Sequence, residues 1–275
     1  MNIKSFKKIT DWLKSQNIDT IQILGGEPLL HNNLYEFLQE LHNKKMKTAL
    51  ITNATISIDE KILYHPSILN YLINVAASTD KKDEKNIEMN IKRIRGRQIN
   101  IILGTTIYDR NQNFDYLFKL CNKYKIKDIR LDLSLPDLHG QNVYVKPEDY
   151  IKFRPLIIKI LKKCKELEIY PSFDCGLTIG IFSIFSKKEI ILLKKFSKFF
   201  TRNFCLPTMD IFPDFSASFC FPMKNIRVKN VLKHDFYDVR NILMEKIKKY
   251  VDYDKGYQGM CIRNIVNLQK NKCIQ

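Results

Sequence analysis

Two groups of residues in this 275-residue chain are of types and spacings that could do chemistry. The first is Gly25-Gly26-Glu27-Pro28. Two glycines after a short β-branched run let a ligand approach the backbone with no side chain in the way. Glu27 can accept from an ammonium group, and Pro28 sets the exit into the next helix. A plain strand-to-helix turn would use the same four residues, so the tetrad carries weight only in company. The second group is Cys175, Cys205, Cys220, Cys261 and Cys273. Four thiolates hold an iron–sulfur cubane or a tetrahedral zinc ion. Five therefore supply at most one complete site, and buried, unliganded thiols are the plainer alternative. Cys121 and Cys164 fall on the apolar faces of helices and read as core. The histidines, His31, His42, His65, His139 and His234, show no H-x3-H or HExxH spacing. There is no phosphate-binding P-loop, no G-x-S-x-G elbow and no G-x-G-x-x-G.

The elements that must position these residues follow from hydrophobic periodicity. Ile3, Phe6, Ile9, Trp12 and Leu13 recur at helical spacing over residues 3–16, and Asp19 to Leu24 is a short strand ending at the tetrad. A second helix carries Leu34, Phe37, Leu38 and Leu41, and strands are expected at 47–52, 71–77, 98–106 and 128–133. Helices between them cover 58–63, 83–95 and 114–124. Strands alternating with helices imply βαβ units and a parallel sheet, with functional residues at the strand C-terminal ends. Five strands between Thr20 and Leu133 are too few for a closed eight-stranded barrel, so an open, partial barrel is expected. A long helix over 147–168 contains Pro155, which kinks or divides it. Beyond Tyr170 the chain reads as irregular, with a hairpin whose arms are 209–212 and 216–221 around a Pro213-Asp214-Phe215 turn.

The order of Gly25-Gly26-Glu27-Pro28-Leu29-Leu30, then Ile51-Thr52-Asn53-Ala54, then Val75-Ala76-Ala77-Ser78-Thr79-Asp80, resembles the radical S-adenosylmethionine (SAM) superfamily. Gly104 to Asn111, Ile129-Arg130-Leu131 and Pro136 also occupy the expected places, so the resemblance runs from about Phe6 to Pro136. It implies an α/β fold, a partial (β/α)6 TIM-like barrel, with SAM lying across the strand ends. Gly25, Gly26 and Glu27 would bind its methionine amino group, and Pro28 and Asn53 would also bind the cofactor; Ser78 would contact it with Asp80 nearby. Thr106 and Arg130 would line the same mouth.

The chain departs from this pattern in one respect. Such enzymes hold a [4Fe–4S] cluster on a C-x3-C-x2-C loop after the first strand, and nothing before Gly25 is a cysteine. The barrel is therefore expected to lack its first strand, through truncation, degeneration or use of other cysteines for iron. As written, the chain is not expected to cleave SAM. Residues 171–275 resemble, in degenerate form, the auxiliary-cluster (SPASM or twitch) extension of peptide- and protein-modifying members. Cys205 and Cys220 flank the hairpin, Phe215 replaces the glycine of the usual Pro-Asp-Gly turn, and Asn264 stands where a cysteine would follow Cys261. The implied division is a partial barrel over 1–136, a connecting helix over 137–170 and a small irregular, Cys-containing α+β region over 171–275.

Composition sets the outer bounds. Hydrophobic residues at 45% and charged residues at 27% suit a globular chain with a real core. Lys+Arg 46 against Asp+Glu 29 gives +17, which excludes an acidic protein. The basic stretches at 81–82, 92–97 and 159–163 lack interleaved aromatics and read as solvated helix faces rather than a nucleic-acid platform. No apolar run reaches the roughly 18 residues a membrane span needs. The first residues show no signal core, so a cytoplasmic chain is expected. Seven cysteines, odd in number and absent before Cys121, suit free thiols or metal ligands rather than disulfides. With the three-cysteine loop restored, the resemblance implies generation of a 5′-deoxyadenosyl radical that modifies a peptide or other substrate with the help of a reductant. The alternatives are a non-catalytic accessory module and, more weakly, a nucleic-acid-binding protein.

Overall fold

The computed structural model describes residues 1–76, 79–134, 143–145, 149–173, 185–194, 208–219 and 225–248. Helix α1 (Ile3–Ser15) starts where the Asn2 side chain accepts the Ser5 backbone N–H, and buries Phe6, Ile9, Trp12 and Leu13. Strand β1 (Thr20–Ile23) leads through the tetrad into a single 3-10 turn, Pro28–Leu30, and then α2 (Leu34–Asn43). Phe6 of α1 stacks on Phe37 of α2 with ring centroids 4.3 Å apart. The alternation continues through β2 (Lys47–Thr52), α3 (Glu60–Leu63), β3 (Ile68–Asn74), α4 (Lys81–Arg95) and β4 (Asn100–Ile107). It then runs through α5 (Asp115–Tyr124), β5 (Asp128–Leu133), α6 (Tyr150–Glu166) and β6 (Tyr170–Phe173). The six strands form one open parallel sheet in sequence order, the expected partial (β/α)6 architecture.

Three expectations need correction. Strand β3 begins three residues before the Tyr71 expected from periodicity and its ladder ends at Asn74, because its register is set by β2: Thr48 pairs with Ile68 and Thr52 with Ile73 across a bulge. Pro155 lies inside an undivided α6. The bond it forfeits belongs to the carbonyl of exposed Ile151, on the water side of the helix, where solvent can replace it. Tyr170 to Phe173 is a sheet strand rather than irregular chain. Pro171 masks it in sequence, yet β6 is an edge strand, the position at which a missing N–H is tolerated.

The chain divides into two compact units. One comprises Met1–Thr105, Asn113–Ile129 and Pro213–Phe215; the other comprises Thr106–Gln112, Arg130–Phe212 and Ser216–Gln275. In the first, Leu38, Leu41, Met46, Leu50, Ile73, Ile91 and Ile94 are among the fully buried side chains between sheet and helices. In the second, Arg154 of α6 pairs with Glu189 of α7 (Lys187–Lys194) at 2.7 Å. The expected hairpin is there as β7 (Met209–Ile211) and β8 (Ala217–Phe219), antiparallel, with Met209 opposite Phe219. Five residues join the strands; the Phe212 N–H donates to the Ser216 carbonyl at 2.9 Å, and inside that pair Phe215 takes φ +63°, the left-handed position that glycine fills more easily. Helix α8 (Phe236–Lys248) closes the described chain. No helix among the described residues is long and apolar enough to cross a membrane.

Candidate functional site at the end of the first strand

The tetrad sits at the C-terminal end of β1, and each of its residues has a distinct physical task. Gly25 adopts φ +145°, a backbone conformation open to glycine alone in practice. Gly26 has an ordinary backbone, and a Cβ built on it meets nothing within 4 Å among the described residues. Packing among those residues therefore gives no reason for glycine at position 26; the space above it is what a side chain would occupy. Pro28 opens the 3-10 turn, and Glu27 caps that turn by accepting the Leu29 backbone N–H at 3.0 Å.

Glu27 is the centre of the arrangement. Its Oε1 also accepts the Thr52 hydroxyl at 2.7 Å, and its Oε2 accepts the Asn53 backbone N–H at 2.8 Å. A carboxylate offers about four acceptor positions, and these three bonds leave about one, on Oε2, for an incoming donor. The side chain is half-buried and held from two neighbouring strand ends, so its anion is oriented before any ligand arrives. A fixed carboxylate with one open lone pair, beside two glycines under open space, is suited to bind a ligand ammonium group.

The residues read from sequence divide by position. Gly25, Gly26, Glu27, Pro28 and Asn53 come together around this carboxylate. Asp80 belongs to the same compact unit and caps α4, its carboxylate accepting the Asp83 N–H at 2.8 Å. Thr106 and Arg130 belong to the other unit. There the Thr106 carbonyl accepts from Gln112 Nε2 at 2.8 Å, and Arg130 pairs with Asp132 at 3.2 Å along β5. Ser78 lies outside the described residues, as do Cys175, Cys205, Cys220, Cys261 and Cys273. Thr52 is the functional side chain that sequence reasoning passes over. It shares the buried face of β2 with Thr48 and Leu50, and only its place beside Asn53 hints at a polar task.

Metal chemistry finds no donor set among the described residues, where no group of three His, Cys, Asp or Glu side chains could hold an ion. Cys121 and Cys164 are the buried core residues expected, and neither is in a disulfide. Burial pushes the Cys121 thiol up to about 12, so it is protonated at neutral pH.

No family model matches the chain. It is 29% identical over 194 residues to the uncharacterized protein MJ0907 of Methanocaldococcus jannaschii, a match covering 63% of this chain and 64% of that one. Among solved structures it is similar to Streptococcus suis SuiB bound to S-adenosylmethionine, with a TM-score of 0.60 and 16% identity over 93% of this chain and 59% of SuiB. SuiB bound to its precursor peptide SuiA gives a TM-score of 0.60 at 17% identity, over 86% of this chain and 57% of that one. The native anSMEcpe with bound AdoMet gives 0.61 at 16% identity, over 96% of this chain and 81% of that one. The chain thus spans less than two thirds of the length of MJ0907 and of SuiB. At these identities the likeness is one of architecture: the chain has the fold on which SuiB and anSMEcpe bind S-adenosylmethionine.

Proposed function

We propose that this chain is a radical SAM-type protein that binds the methionine part of S-adenosylmethionine at Gly25-Gly26-Glu27-Pro28. The observation that carries the reading is the Glu27 carboxylate, held by Leu29, Thr52 and Asn53 with about one acceptor position open. The fold shared with two SAM-bound proteins supports it. In this reading Glu27 accepts the ligand's ammonium group, and the glycines leave room for its amino-acid backbone. Asn53, at the end of β2, keeps Oε2 turned toward the mouth.

Bound SAM supplies a 5′-deoxyadenosyl radical when it is cleaved reductively, and that step depends on a thiolate-held [4Fe–4S] cluster. Among the described residues no group of three His, Cys, Asp or Glu side chains could hold such a cluster. The same observation favours a second reading, a binding or accessory module that keeps the SAM mouth without the chemistry. A peptide substrate is supported by the precursor peptide bound to SuiB. The C-terminal cysteines, as an auxiliary [4Fe–4S] or zinc site, belong to the proposal on their sequence pattern alone.

Calorimetric titration with SAM and with S-adenosylhomocysteine, which shares the amino-acid part, tests the reading. Gly26→Ala is expected to leave stability within about 0.5 kcal/mol, since its Cβ meets nothing within 4 Å among the described residues. It should weaken both ligands at least about tenfold, equivalent to about 1.4 kcal/mol. Undiminished affinity in Gly26→Ala would show that the space above the tetrad is not the ligand's.

A further inference from the structure

The segment from Asn53 to Asp59 joins β2 to α3 without regular structure, so its backbone polar groups need partners from elsewhere. Helix α4 supplies them from one face. Asn90, with no exposed surface, donates through Nδ2 to the Ala54 carbonyl at 3.0 Å and the Ile56 carbonyl at 2.7 Å, and accepts the Ile58 N–H at 3.1 Å. Asn86 donates to the Thr55 carbonyl at 2.7 Å, and Arg93 to the Ile58 carbonyl at 2.8 Å. Positions 86, 90 and 93 recur on one helical face. The clamp holds Ala54 at φ +54°, a left-handed conformation that strains a residue with a Cβ. In that conformation the Ala54 N–H reaches the Thr52 hydroxyl oxygen at 2.9 Å. With its lone pair taken, Thr52 Oγ1 turns its proton to Glu27 Oε1, while the Asn53 N–H lies at Glu27 Oε2.

We infer that Asn90 is a positioning residue for the ligand-binding carboxylate, acting through Ala54, Thr52 and Asn53, with Asn86 as a weaker second strut. The inference deepens the proposed SAM reading and rests on it for the ligand. Asn90 touches neither Glu27 nor the mouth. It locks the loop in the strained backbone that presents two donors to Glu27, which leaves one face of the carboxylate for the ligand.

The experiment compares wild type, Asn90→Asp and Asn86→Ala. Asn90→Asp keeps the acceptor for Ile58 and removes both donated bonds; Asn86→Ala is on a half-buried position and keeps the test open if the first variant fails to fold. Two probes are titrated: S-adenosylhomocysteine, and 5′-methylthioadenosine, which keeps the adenosine and lacks the amino-acid part. Backbone hydrogen exchange is followed at Leu29, whose N–H donates to Glu27 Oε1. Asn90→Asp is expected to lose affinity for S-adenosylhomocysteine about tenfold and Asn86→Ala about threefold, with 5′-methylthioadenosine within about twofold of wild type. Leu29 exchange is expected to quicken in both. Equal losses for the two probes, or unchanged Leu29 exchange in a folded variant, would overturn the positioning role. If wild type binds neither probe, the SAM reading fails by itself; Leu29 exchange then decides whether the clamp still holds Glu27.

Discussion

His65 is 4% exposed, and its Nδ1 accepts the Ser67 backbone N–H at 3.3 Å, which leaves the proton of the neutral ring on Nε2. Among the described residues Nε2 has no hydrogen-bond partner; the rings of Tyr35 and His42 stand edge-on at 5.9 and 6.0 Å. Burial, and then the charge of His42, hold its pKa below the usual 6.5. The unfolded chain therefore takes up the proton first. Its contribution is complete above the usual value and is lost as the pH falls below it. Thermal unfolding from about pH 7 to about pH 5 should show a falling Tm, and the fall should be shallower in His65→Asn. An equally steep fall in the variant would assign the effect to other groups. At this scale the sequence shows some residues clearly and hides others. Gly25, Gly26 and Glu27 are legible because they are adjacent and unusual. Asn90 is one asparagine in a polar helix, and only the partners it finds 32 to 36 positions away distinguish it.

Four helices hand the chain to the next strand by the same device. After α1, α2, α5 and α6 a single residue, Asn17, Lys45, Lys125 or Glu168, takes a left-handed backbone with φ between +52° and +58°. The following apolar residue then donates back to the last turn: Ile18 to Leu13, Met46 to Leu41, Ile126 to Cys121 and Ile169 to Cys164, at 2.8–3.0 Å. This is the Schellman closure, ordinarily built on glycine. None of the four positions is glycine, which is why helix ends are hard to place from sequence. Lys45→Gly and Lys125→Gly should each relieve about 1 kcal/mol of backbone strain, a Tm rise of about 2–4 °C. A lower Tm in both would mean that the lost side chains matter more than the backbone. Strands β1 to β5 are legible because β-branched and apolar runs alternate with helices at regular intervals. Strand β6 is not, since four residues containing a proline carry no periodic signal.

Across the whole molecule the charge of +17 remains outside the proposed site, which is built on a carboxylate. Lys81, Lys82, Lys85 and Lys92 of α4 are exposed, as expected for a solvated face, while Arg93 is bound to the 53–59 loop and Arg97 lies 4.5 Å from the Tyr64 ring centroid. Self-repulsion on this scale opposes compaction and is screened by salt. Raising salt from about 20 to about 200 mM should therefore raise the Tm, and a fall would show that ion pairs such as Lys44–Asp11 outweigh the repulsion.

The proline in β6 reaches beyond its own strand. Among the described residues β6 is an outer strand of the sheet, and there Pro171 lacks the N–H that a continuous ladder needs. A strand laid against β6 would meet that gap, so this border resists continuation by another chain.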